Sequence, residues 1–380
     1  MAHFQVTTTK PSYVNCSPDF IAFLKTLNDD KLFDDQFSED IELINGICLS
    51  EVCLESEYVP ILLVLFNVAR KLAQQNKTKK DVSLFNYLYE SFSQPETKLA
   101  FQTHFDDDLS TYYQYYVYVC IKLAYYQMDT DEYSIFLNHP EHYLKIAIEL
   151  LQSYQKMNQD DYHVFVWQID LCQAMLYKTR DEHQKALAFF NEIKPFLALD
   201  DKYAIPLKDK CYCLYHLTLS ALCENQYQDA LDALQMLDDF EGHQSEADEF
   251  LINHLPARYH YAGWAYFMLG ENQKAVTAFN QSIDLVQDKP ESLGFLQIGF
   301  FMRAISYLKM NPNSSQSIVA LQTIENYLRE NVDAKVELER FVTDFMSDDF
   351  VSELSKLSPK IESIFQSLYS DEEKKTLSYK

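Results

Sequence analysis

Glycine occurs only 6 times and proline only 11 times in this chain of 380 residues. Tight turns depend on these two residue types, glycine because it reaches positive φ and proline because it presets φ near about −65°. A chain so poor in both cannot supply the many turns of a β-sandwich, a barrel or a doubly wound α/β fold. Long apolar-periodic stretches with few breaks read as helices. Hydrophobic residues make up 47 % of the chain and aromatics 14 %, enough to bury a large core, so the composition is not that of a disordered protein.

Charge narrows the partners. The formal net charge is −25, a field that repels phosphate backbones and anionic lipid surfaces. Nucleic acid is therefore not expected as a partner. The one local basic group, Lys77, Lys79 and Lys80, reads as a solvated loop between helices. The longest apolar run, Ile61–Phe66 followed by Val68 and Ala69, is under half of what spans a bilayer, so no membrane insertion is expected. The start, Met1–Pro11, lacks a basic-then-apolar leader pattern. The eight cysteines (16, 48, 53, 120, 172, 211, 213 and 223) are scattered without a C-x-x-C, several within apolar helical runs. Free buried thiols in a reducing, cytoplasmic setting are the expectation; a signal-independent secretion route leaves no trace in a sequence.

A repeat organises the middle of the chain. Between Tyr259 and Lys289, Gly263 stands where two helices must approach closely and Tyr266 follows three residues on. Gly270 stands at the turn, and Ala275, Phe279 and Ser282 follow along a second helix. The same frame places Ala230, Leu234 and Leu237 after the turn Glu224–Tyr227, and Ala186, Phe190 and Ile193 after Asp181–His183. Weaker copies are Ala147, Leu151 and Tyr154 before these, and Ser317, Leu321 and Ile324 after them. The marks Ala147, Ala186, Ala230, Ala275 and Ser317 are spaced by 39, 44, 45 and 42 residues. This pattern resembles the tetratricopeptide (TPR) repeat, with longer helices or connectors than the consensus form. The resemblance implies an all-α, right-handed α-solenoid of about five helical hairpins with an open concave side.

The organisation read from the chain is a tail over 1–17, an N-terminal helical bundle over 18–108 and the array over 109–330. Capping helices follow over 331–370, with a polar tail at 371–380. Residues 29–42 interleave seven acidic residues with Leu32, Phe33 and Phe37 and read as a solvated edge or an acidic-hydrophobic docking element. Ser245–Asp248 reads as a helix start ahead of Phe250–Ile252, and Ser358 as the cap of a last helix, Pro359–Leu368.

No catalytic or cofactor signature emerges. His139-Pro140-Glu141-His142 has histidines three apart with a proline between, not the four-residue spacing of a zinc site, and reads as a helix N-terminus. Cys211 and Cys213 fall on different sides of a helix. There is no G-x-S-x-G and no phosphate-cradling glycine loop, and the paired acids 160/161, 200/201 and 238/239 fall in predicted loops. No enzyme, metal or cofactor is expected.

The resemblance implies recognition of a peptide or protein along the concave face, which the first helix of each hairpin lines. Carried across, its inward positions are Leu171, Met175 and Lys178, then Tyr212, Tyr215 and Leu219, then His260, Trp264 and Phe267, then Met302 and Ser306. The alternative for each, favoured for any single residue, is packing against a neighbouring hairpin. As a set they imply an aromatic, weakly charged groove suited to a partner with apolar anchors or basic flanks. The Lys/Asn carboxylate clamp of chaperone-binding members is not evident among them. The layout also resembles bacterial peptide-sensing regulators of the Rap type, and a secreted bacterial effector scaffold or an enzyme with an all-α site are the other readings.

The cysteine reading makes a direct prediction: alkylated, freshly lysed protein migrates identically on reducing and non-reducing gels. A reproducible shift between the two would reverse the assignment of free thiols.

Overall fold

The computed structural model describes residues 5–6, 13–15, 52–75, 79–128, 138–154, 159–198, 205–241, 245–286 and 293–368. The acidic segment 29–42, Cys16, Cys48, Gly242 and the tail 371–380 lie outside them. Seventeen α-helices are found among the described residues, and apart from one small sheet the fold is helical. The chain divides into two compact units, Met1–Thr179 and Arg180–Lys380.

The first unit holds α1 (Glu55–Gln75), α2 (Lys79–Phe92), α3 (Pro95–His104), α4 (Ser110–Met128), α5 (Pro140–Ser153) and α6 (Gln159–Lys178). Its core is built around aromatic rings. Phe66 of α1 stacks on Tyr115 of α4 at 3.8 Å, and Phe92 of α2 on Tyr116 at 5.8 Å. Buried tyrosines need partners for their hydroxyls. Accordingly Tyr112 donates to the Phe92 carbonyl at 2.7 Å, and Tyr58 Oη lies 2.7 Å from Thr97 Oγ1. Burial raises the Tyr112 and Tyr116 hydroxyls far above ordinary tyrosine, so both stay protonated. α4 and α5 form a hairpin, and His139 and Pro140 sit at the N-terminus of α5.

Three short antiparallel strands precede α1: β1 (Gln5–Val6), β2 (Tyr13–Asn15) and β3 (Val52–Leu54), in the order β1-β2-β3 with Gln5 opposite Asn15 and Tyr13 opposite Leu54. No strand is expected from the sequence here. Elements of two or three residues are too short to carry a readable alternation.

The second unit opens with α7 (His183–Ile193) and continues with α8 (Leu207–Cys223) and α9 (Tyr227–Asp239). It goes on through α10 (Ser245–Asn253), α11 (Leu255–Met268), α12 (Asn272–Val286), α13 (Leu293–Met310) and α14 (Ser315–Glu330), and ends with α15 (Val332–Phe345), α16 (Asp348–Ser355) and α17 (Pro359–Leu368). Consecutive hairpins are α8/α9, α11/α12 and α13/α14. No helix among the described residues is long and apolar enough to cross a membrane.

The register read from the repeat coincides with burial. Ala147, Ala186, Ala230, Ala275 and Ser317 are all 0 % exposed. The two best-matched hairpins also share one turn. After α8, Asn225 takes φ 59° and the Gln226 amide donates to the Ala221 carbonyl; after α11, Gly270 takes φ 80° and the Glu271 amide donates to the Tyr266 carbonyl. Each is a helix end closed by a left-handed residue, which asparagine and glycine tolerate best. Where the consensus has alanine, Ser282 instead donates its hydroxyl to the Pro256 carbonyl at 2.8 Å. At the other end, Ser358 Oγ accepts from the Lys360 amide at 3.3 Å and α17 begins at Pro359, as the sequence indicates.

At Gly263 the two helices of a hairpin approach closely. A Cβ there would lie 2.8 Å from the ring of Phe279, itself fully buried. Gly263→Ala is expected to cost about 1–3 kcal/mol through overpacking and Gly263→Leu at least as much, read as a lowered thermal midpoint. An unchanged midpoint for both variants contradicts the pairing of α11 with α12.

Candidate functional site

The sequence-derived groove positions fall on the first helices of the hairpins. In the first unit they lie on α6. That helix sends Phe165, Ile169, Cys172 and Leu176 into the aromatic core, while Leu171 and Met175 (each 7 % exposed) and the half-buried Lys178 stand at other positions around it.

In the second unit α8 carries Tyr212, Tyr215 and Leu219, all half-buried. Tyr215 is the hub. Its hydroxyl is 3.3 Å from that of Tyr261 on α11, and its ring meets those of His254 edge-on at 4.8 Å and Phe250 at 6.1 Å. Tyr212 packs against His216 at 4.3 Å and approaches Phe250 at 6.5 Å. Phe250 and His254 in turn stack at 4.0 Å, with His254 Nδ1 2.8 Å from the Phe250 carbonyl oxygen. Short helix α10 thus lies over the α8 surface, with Phe250 among the tyrosines. Burial raises the Tyr215 and Tyr261 hydroxyls above the ordinary tyrosine range, so the pair is neutral.

The α11 positions are also covered. Trp264 is 7 % exposed and meets Phe341 of α15 ring-to-edge at 5.6 Å. Phe267 meets Phe350 of α16 at 6.0 Å, and the Lys309 ammonium stands 4.5 Å from one ring and 4.9 Å from the other. His260 is buried beside Phe279 at 5.6 Å, and desolvation pushes its pKa down to about 4, so it is uncharged at neutral pH. On α13, Met302 and Ser306 are 1 % and 0 % exposed, and Ser306 Oγ donates back to the Met302 carbonyl at 2.8 Å. Tyr215 and Trp264 therefore have different neighbours: α10 covers the first and α15 the second.

Arg258 anchors the junction of these elements. Its guanidinium is 3 % exposed and pairs with Asp238, at the end of α9, and with Glu241 at 2.9 Å. It borders a cleft of about 340 Å³ between α9, α11 and α12, with Tyr259 and Tyr266 along the cleft. A second cleft, of about 370 Å³, lies between α5 and α6. Burial holds four of the cysteines in the thiol form. Cys120, Cys172, Cys211 and Cys213 are free and buried, and desolvation drives Cys172 and Cys211 up to about 12.

Phe250, His254, Tyr261, Phe341 and Phe350 were not singled out as site residues from the sequence. Only the start of α10 was legible, and nothing local says that it folds back on α8.

No family model matches the chain, and no curated protein sequence matches it. Among solved structures, the aspartyl phosphate phosphatase F of Bacillus subtilis is similar at 15 % identity and a TM-score of 0.44, covering 92 % of this chain and 88 % of that one. BtubC (BKLC) from P. vanneervenii is similar at 13 % identity and a TM-score of 0.39, covering 68 % of this chain and 93 % of that one. At those levels neither likeness assigns a function. The architecture itself defines the class: a helical array of hairpins.

The packing around Trp264 predicts its role in folding. Trp264→Ala is expected to lower stability by about 3–5 kcal/mol, since it empties a site against α15. Urea denaturation followed by circular dichroism measures it, and a loss below about 1 kcal/mol would mean that α15 does not seal this face.

Proposed function

We propose that this chain is a binding scaffold without catalytic activity of its own, which recognises a protein or peptide through the helix-A surface of its hairpins. The observation that carries this reading is the α8 surface. Tyr212, Tyr215 and, from α11, Tyr261 form an aromatic patch that takes an aromatic side chain, Phe250, from an amphipathic helix. Tyrosine offers large rigid contact area at a small entropy loss and a hydroxyl for the partner's backbone, which makes it a frequent hot spot. The partner is expected to present apolar anchors. A net charge of −25 favours basic flanks around them and raises encounter rates at low salt. The buried, protonated thiols and the neutral buried His260 support a non-catalytic role.

The test is a peptide library displayed on phage and selected on the full chain. Ligands carrying aromatic anchors are expected. Tyr215→Ala should weaken them about thirtyfold, the equivalent of about 2 kcal/mol at a hot spot. Tyr215→Phe should retain most of the affinity. Selected ligands that bind Tyr215→Ala as tightly as the wild-type chain would reject this surface as the recognition site.

A further inference from the structure

We infer that α10 is an internal stand-in for the ligand, seated on the α8 surface at rest and displaced when an external helix presenting an aromatic-aliphatic pair takes its place. This inference rests on the reading of the α8 surface as a recognition site and adds what it recognises and how it is held shut.

The geometry of α10 fits a removable strap. Its nine residues are fewer than the roughly 12–15 needed for a helix to persist unaided, so it depends on what it lies against. Its grip is narrow. Of its residues 248–253, only Leu251 is fully buried, at 1 % exposure; Phe250 is half-buried and Ile252 is 68 % exposed. The covered surface is of another kind, built from ordered tyrosines on two long helices, with Tyr215 and Tyr261 tied hydroxyl to hydroxyl.

A hinge is already in place. α10 ends at Asn253 and α11 begins at Leu255, with Pro256 in its first turn. Proline has no N–H to carry the helical ladder across that point, so α10 can leave α8 without unwinding α11. The anchors of α11 lie beyond the hinge: Arg258 holds Asp238 and Glu241, and Ser282 holds the Pro256 carbonyl. Arg258 also approaches α10 itself, its Nη1 lying 3.5 Å from the Leu251 carbonyl oxygen. The ligand chemistry follows from what the site already holds: a helical segment with phenylalanine followed by leucine, the Phe250-Leu251 pair of α10 itself.

A tethered segment competes at an effective concentration of the order of millimolar, so the wild-type chain should resist a copy of the segment added in trans. The probe is a fluorescein-labelled peptide of residues 245–254, titrated into the full chain and followed by anisotropy. Phe250→Ala should bind it at least about tenfold more tightly than wild type, and adding Tyr215→Ala should abolish the gain. Equal binding to wild type and to a folded Phe250→Ala overturns the strap. Hydrogen exchange on the unaltered chain decides the matter if Phe250→Ala does not fold. Amides of α10 should exchange at least about a hundredfold faster than those of α8 and α11, through an opening of their own. Exchange of α10 only together with α11 overturns the proposal. A library-selected ligand that loses affinity for Tyr215→Ala but binds wild type and Phe250→Ala equally leaves the recognition surface standing and removes the strap alone.

Discussion

The second unit depends on how closely the two helices of a hairpin can approach. At Gly263 the backbone of α11 lies against the ring of Phe279, so near that a methyl group has no room. A fully buried small residue stands on the second helix of the hairpins: Ala230, Ala275 and Ser317 in this unit, as Ala147 does in the first. Small residues at these positions bring the helix axes together, and the large residues one and two turns on fill the space that remains. The turns obey the same constraint. Asn225 and Gly270 close their helices with a left-handed residue, so the second helix starts at once and runs back along the first.

On α8 and α11 the first-helix face is aromatic, and such a face has to be managed. In the second unit the chain covers it with its own helices. The C-terminal helices seal Trp264 and Phe267 by ring-to-edge contacts with Phe341 and Phe350, and Lys309 lies between two of the rings. α10 covers Tyr212 and Tyr215 far less completely. α15 and α17 bury Ala334, Leu338, Val342, Ile361, Ile364 and Phe365, whereas residues 248–253 of α10 fully bury Leu251.

Much of the fold was legible because its signals are local. The scarcity of glycine and proline, the four-and-three spacing of Ala275, Phe279 and Ser282, and the Ser358-Pro359 start are properties of short windows, and the helices follow them. The β1-β2-β3 sheet was not legible, because strands of two or three residues have no pattern to read. The site was legible only in part. The spacing put Tyr215 and Trp264 on the first helices of their hairpins, but says nothing of what lies over them.

The sequence by itself determined that the chain is helical, where its hairpins turn, and which small residues their helices share, because periodicity, capping and steric room act over a few residues. Tertiary structure decided which aromatic positions are sealed and which are lightly covered. Those contacts join Trp264 to Phe341 and Phe267 to Phe350, 77 and 83 residues apart in the chain, and Phe250 to Tyr215 across an intervening helix. Apolar burial has no direction of its own, so a sequence can mark a face as needing cover while the packing of distant helices selects what covers it.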